Sequence, residues 1–247
     1  MVEGKLRWWP GFVAVALAGA GGLFAFQART PPAALVVLDT GKAWAAGASP
    51  GGTSPGGSSS GKAAASQIPP GWELKVNSGI PDVTFSDQGD ETALHFRSVK
   101  SSYSLERAIN IDPAQLPYLS WRWKITQLPR GGDFRHTSTD DQAAQVMVAF
   151  DDRHILSYIW DTTAPQGTME SASFIPLVHI FAIVCRSGTA DANKWLQESR
   201  NLAEDYRKAF GKTAPHVKGL RLQINSQHTG SSAESYFGEV AFRTAQS

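Results

Sequence analysis

Apolar and polar residues alternate along most of the chain from residue 92 onward. Leu119, Trp121, Trp123 and Ile125 alternate with Ser120, Arg122, Lys124 and Thr126. That period of two predicts a half-buried strand with both Trp on its inner face. The same pattern predicts strands over 92–97, 103–109, 145–150, 155–160, 220–224 and 236–242. Asp151, Asp152, Arg153 and His154 separate two of these runs as a four-residue hairpin loop would. Residues 177–185 are apolar almost throughout, as in a strand buried on both faces. One segment has helical spacing instead. Leu202, Tyr206, Ala209 and Phe210 share a face, Asn201 and Glu204 form the ends of a capping box, and Gly211 is a left-handed stop. Arg207 and Lys208 fall in the last turn, where they complement the helix dipole. Many strands with one clear helix predict a mainly β domain, a β-sandwich or jelly roll with the helix packed on it.

Upstream the pattern changes twice. Lys5 and Arg7 precede an uncharged stretch over 11–28. As a helix at about 1.5 Å per residue it reaches roughly 27 Å, the short limit for crossing a bilayer. A basic flank and an apolar core predict a secretory signal or a retained membrane anchor over residues 1–28. Two cleavage sites are candidates: Phe26-Gln27-Ala28, with a bulky residue where a small one is favoured, and Ala43-Trp44-Ala45, which fits the small-x-small rule. The lack of a cysteine after the core excludes a lipid-modified terminus. A short apolar run at 33–38 follows, and 46–67 is rich in Gly, Ser, Pro and Ala. Such a composition cannot bury enough surface to offset its ordering entropy, so 29–67 is read as a flexible linker and 68–247 as the domain. Within the linker, Gly52-Thr53-Ser54-Pro55-Gly56 matches the G-x-S-x-G nucleophile pattern. That chemistry needs a strand-to-helix turn, and neither flank supplies one.

Composition narrows the function classes. The formal net charge of +1 over 247 residues gives no basic excess for nucleic acid. Cys185 is the one cysteine, which excludes an internal disulfide and a zinc site of the usual two-plus-two cysteine pattern. Its apolar surroundings make it a small buried hydrophobe. The six histidines are scattered without metal-ligand spacing. No phosphate loop or dinucleotide fingerprint is present, and no cofactor is expected.

Leu119-Ser120-Trp121-Arg122-Trp123-Lys124, Asp140-Asp141-Gln142-Ala143-Ala144, Tyr158-Ile159-Trp160, Arg186-Ser187-Gly188 and Arg200-Asn201-Leu202-Ala203-Glu204-Asp205-Tyr206 occur in that order. The order resembles the bacterial family catalogued as domain of unknown function 3047, over about residues 72–242. The resemblance implies a secreted or periplasmic β-sandwich of the galactose-binding, carbohydrate-module type, and carries over no catalytic residues. It also implies an acidic Asp-x-Asp-Asn-Thr-Gly run near the C-terminus. Here that stretch is Asn225-Ser226-Gln227-His228-Thr229-Gly230, without either carboxylate, which puts calcium-type binding there in doubt.

Five residues are candidates for a ligand site. Asp140 and Asp141 could serve acid–base or metal chemistry, or accept backbone N–H bonds at a loop-to-strand junction. Adjacent side chains of a strand point to opposite faces, which works against a shared site. Asp141 with Asp161 or Glu170 could supply the two carboxyls of a glycosidase, with nothing to fix their spacing. Tyr158 and Trp160 share a strand face, as a sugar platform or as core. Trp121 and Trp123 are read as core. Arg186 could receive an anion or make a structural salt bridge, with Asp205 as a candidate partner. The leading expectation is a non-catalytic ligand-binding module of the envelope, periplasmic or secreted, or anchored in the inner membrane if the N-terminal segment is retained. Its expected partner is a carbohydrate or cell-surface glycan. The alternatives are a polysaccharide hydrolase using Asp141 and a scaffold for another envelope protein.

Overall fold

The computed structural model describes residues 33–41, 66–89, 91–150, 153–172 and 178–247. The signal or anchor over 1–28, most of the linker, Asp151, Asp152 and Leu177 lie outside the described residues. Two sheets pack face to face. One sheet runs β11 (Leu196–Asn201), β6 (Tyr118–Gln127), β13 (Ser232–Arg243), β4 (Thr92–Val99) and β3 (Val83–Asp87), with β1 (Ala34–Leu38) beside the far half of β13. The other runs β2 (Glu73–Ser78), β5 (Ser102–Ile111), β12 (Val217–Asn225), β7 (Ala144–Phe150), β8 (His154–Asp161), β10 (His179–Ser187) and β9 (Met169–Ser171). Neighbours are antiparallel except β8 and β10. The fold is the expected mainly β sandwich of jelly-roll type with one packed helix.

The residues that alternate in the sequence face each other across the sandwich. Trp121 and Trp123 of β6 and Tyr158 and Trp160 of β8 are buried. The ring centroids of Trp121 and Tyr158 are 5.2 Å apart, and those of Trp123 and Trp160 are 5.8 Å apart in an edge-on pair. Offset and edge-on rings add to the area each buries. Phe96, Phe237, Phe242, Leu105, Leu222 and Cys185 complete the same core, and burial pushes the Cys185 thiol well up.

The helix α1 (Leu202–Phe210) forms as its sequence dictates. The Asn201 side chain accepts from the Glu204 N–H, and Gly211 closes the last turn at φ 67°. Tyr206 packs on Phe150 and His154 at one end of the seven-stranded sheet. Asp205, buried on the same helix, accepts from Arg200 at 2.6 and 2.9 Å and from the Tyr158 hydroxyl at 3.0 Å.

The structure departs from the expected domain boundary at β1. Residues 34–38 fall in the stretch read as linker, yet they pair with residues 240–243 of β13. Val37 and Leu38 are buried in the main core. The Arg107 guanidinium donates to the Val37 carbonyl, and Thr244 N–H to that of Ala33. Here β13 has passed the end of β4, so an apolar pair of residues from upstream fills the vacant edge.

Candidate functional site

Strand pairing in the seven-stranded sheet sorts side chains into rows. Leu105, Leu222, Val146, Tyr158 and Ile183 stand in register on β5, β12, β7, β8 and β10 and point into the core. One residue along, Glu106, Arg221, Met147, Ser157 and Ala182 form the next row and point outward, because the side-chain period is two. The following outward row holds Ser104, Gln223, Gln145, Ile159 and Val184. This outward face floors a cleft of about 700 Å³.

The charged groups at its centre, Arg221 and Glu106, are paired. Arg221 Nη2 is 2.5 Å from Glu106 Oε1, and both residues are 9% exposed. Burial pulls the Arg221 guanidinium down from its ordinary value, while the Glu106 carboxylate pulls it back up. At the rim Lys75 Nζ bonds Glu73 at 2.9 Å. Beside the ion pair lies a network of amides. Gln145 Nε2 donates to Gln142 Oε1 and to Asn225 Oδ1, each at 2.8 Å. Gln142 Nε2 donates to Asp140 Oδ1 at 3.0 Å, and Asn225 Nδ2 to the Asp140 carbonyl at 2.6 Å. These bonds fix the side chains before any ligand arrives, which lowers the ordering cost of binding.

Of the five sequence candidates, the structure brings Asp140 to this cleft. Burial pushes its carboxyl up to about 6, against the Gln142 hydrogen bond and the nearby His228. A carboxyl whose pKa is higher folded than unfolded contributes stability below about pH 4 and loses it as pH rises through about 6. Asp140→Asn is therefore expected to stabilise the domain at pH 7–8 by on the order of 2 kcal/mol. The gain should vanish near pH 3–4, as urea unfolding at the two pH values would show.

The other four lie elsewhere. Asp141 is fully buried, with its oxygens accepting from the backbone N–H of His228 at 3.3 Å and of Thr229 at 2.6 Å. It pins the loop 226–231, as the backbone-accepting alternative anticipates. Gly132 lies against it so closely that a Cβ there would come within 2.3 Å of the Asp141 carbonyl oxygen. Tyr158 and Trp160 point into the core, where Trp160 Nε1 donates to the Gly188 carbonyl at 3.0 Å. A sugar platform is corrected to core for both, because their positions on β8 share the inward parity of Val146 and Ile183. Arg186 bonds Glu198 at 2.7 Å and approaches Asp191 at 3.6 Å, while Asp205 takes Arg200 instead. Asp161, the candidate second carboxyl beside Asp141, accepts three backbone N–H groups, from Phe134, Thr163 and Ala164.

Arg221, Glu106, Gln145 and Gln223 were not singled out by sequence. The signal was present. Each is a polar residue at an outward position of a strand that the alternation identifies, and two of them carry opposite charges. Among the described residues no group of three or more His, Cys, Asp or Glu could hold a metal ion.

The fold is similar to those of several solved structures. The xyloglucanase domain of NopAA from Sinorhizobium fredii, in complex with cellobiose, is 9% identical. It covers 72% of this chain and 94% of its own, with a TM-score of 0.45. The family 11 carbohydrate-binding module from Clostridium thermocellum, in complex with a mixed-linked tetrasaccharide, is 8% identical over 71% and 90%, with a TM-score of 0.37. A cellulase derived from Cel12A of Rhodothermus marinus is 12% identical over 69% and 99%, with a TM-score of 0.39. No curated protein sequence matches the chain. The model of the family described as protein of unknown function, DUF3047, matches residues 71–241, and the chain belongs to that family.

Proposed function

We propose that this chain is a non-catalytic module of the bacterial envelope that binds a neutral glycan in the cleft on the seven-stranded sheet. The observation that carries the reading is the polar floor over β5, β12 and β7. It presents Gln145, Gln223 and Ser157 beside an ion pair that neutralises itself. Side-chain amides and hydroxyls both donate and accept, as sugar hydroxyls do. Glu106 opposes an anionic ligand and Arg221 a cationic one, so a neutral polyol is the chemistry that fits.

Hydrolysis is the less supported reading. Glu106 is level with Arg221 on β12, and the main-chain carbonyl of Asp140 is bonded to Asn225, four residues further along that strand, while Glu73, which stands opposite Glu106, is held by Lys75. At about 3.4 Å per residue the two levels are roughly 13 Å apart. Glycosidases hold their two carboxyls about 5–10 Å apart. Asp141, the carboxylate that the hydrolase reading relied on, faces the loop 226–231 rather than the cleft.

Isothermal titration of the full chain against a panel of neutral oligosaccharides tests the proposal. Gln223→Ala should weaken the binding member about ten-fold, the worth of one lost hydrogen bond, with the melting temperature within a few degrees of wild type. Absence of binding by every neutral sugar at millimolar concentration would overturn it.

A further inference from the structure

The two halves of the cleft differ in chemistry. Over β5, β12 and β7 the outward rows carry Glu106, Arg221, Gln223 and Gln145. Over β8 and β10 they carry Ile159, Ala182, Val184 and Ile180, with Ser157 between them. These apolar side chains form two clusters apart from the main core. One holds Phe134, Ile159, Ala164, Ala182 and Val184, and the other Met147, Ile155 and Ile180. The outer face of a sandwich ordinarily alternates to polar residues. Here it stays aliphatic over two adjacent strands, where Phe134, Ala164 and Ala172 cover most of it and Met147, Ile180 and Ala182 are left at the cleft wall with 6%, 9% and 2% of their surface exposed.

The apolar half is continuous with the polar half. Met147 stands in the same row as Arg221 and Glu106, and Phe134, Met147, Ile180 and Ala182 line the same cleft as Gln145 and Gln223. Three strand steps separate β12 from β10, roughly 14 Å at about 4.8 Å per step. A ligand lying across the strands meets hydrogen-bonding groups at one end and aliphatic ones at the other. A bare oligosaccharide spanning that distance would bury hydroxyls against Ile180 and Ala182 without partners, which is costly. A bare hydrocarbon would do the same to Gln145 and Gln223.

We propose that the ligand is an amphiphilic glycoside, a neutral sugar carrying an aliphatic acyl or alkyl group. The sugar sits on Gln223, Gln145 and the Glu106–Arg221 pair, and the aliphatic group lies over Met147, Ala182 and Ile180. This inference rests on the glycan reading above and specifies its ligand.

Titration of the full chain with matched methyl and octyl glycosides of glucose, galactose and N-acetylglucosamine, below micelle-forming concentrations, tests it. For the sugar that binds, the octyl member should bind about ten-fold tighter or more, since burial of two methylenes suffices for that factor. Met147→Gln should bring the octyl-to-methyl ratio toward one. Gln223→Ala should weaken both members by a similar factor. Equal affinity of methyl and octyl members would overturn the inference and leave the glycan reading standing. Octyl binding that ignores the identity of the sugar and Gln223 would overturn the glycan reading, and the inference with it. Failure of every pair to bind would overturn the inference, and the oligosaccharide panel then decides the glycan reading.

Discussion

Trp160→Ala is expected to cost about 3–5 kcal/mol of folding stability, the range for truncating a fully buried large aromatic. Trp160 has no exposed surface, and its ring meets that of Trp123 edge-on at 5.8 Å. The indole N–H donates to the Gly188 carbonyl, so truncation also removes that acceptor's partner. A domain's whole stability is about 5–15 kcal/mol, so the loss is a large share. Urea unfolding should show a sharply lower midpoint with an unchanged slope. An exposed sugar platform at this position would behave otherwise. Its removal would shift stability by no more than about 0.5 kcal/mol and would abolish ligand binding. Trp160→Phe separates the two components of the loss. It keeps most of the packing and leaves the Gly188 carbonyl without its donor, so its cost should be well below that of the Ala variant.

The strands that the alternation reveals are β4, β5, β6, β7, β8, β12 and β13, and the apolar run adds β10. Each has neighbours on both sides. The strands that it misses are β1, β2, β3, β9 and β11, and every one stands at a sheet edge or beside the end of one. An edge strand pairs along one side and buries little, so its sequence is under weaker constraint. Glu73–Ser78 is mostly exposed and Met169–Ser171 has no buried residue. Their apolar content carries too little pattern to read.

The site was legible in part for a related reason. Alternation states which residues share a face, and it placed Trp121 and Trp123 inside. It does not state which face a second sheet covers. On β8 both faces are buried, because Ser157 and Ile159 are covered as fully as Tyr158 and Trp160. The parity that sends Tyr158 and Trp160 inward is fixed by register with Val146 of β7 and Ile183 of β10, long-range pairings that sequence does not display. Asp140 and Asp141 diverge as expected. The first reaches the cleft and the second the loop 226–231, although both precede β7 and the strand period does not govern them. Conversely, Glu106 and Arg221 lie 115 positions apart by their numbers and meet only through the pairing of β5 with β12.

That pair makes the second strong prediction. Glu106→Ala takes the Glu106 carboxylate away from the Arg221 guanidinium, which lies in the cleft floor largely removed from water. Breaking a buried pair from one side costs about 3–5 kcal/mol. Arg221→Met should cost a comparable amount by stranding Glu106. The double variant Glu106→Leu/Arg221→Met should recover most of either loss, because two well-packed apolar side chains avoid desolvating both ions. A double-mutant cycle in urea measures the coupling. If the double variant is as unstable as the sum of the single variants, the groups act independently and their closeness is incidental. The recovered double variant is then the sharper probe of function. Its fold is intact, but the central polar groups of the cleft are gone, so a ligand's hydroxyls would be buried there without partners. It should therefore lose neutral-glycan binding while remaining folded, which separates the pair's contribution to recognition from its contribution to the sheet.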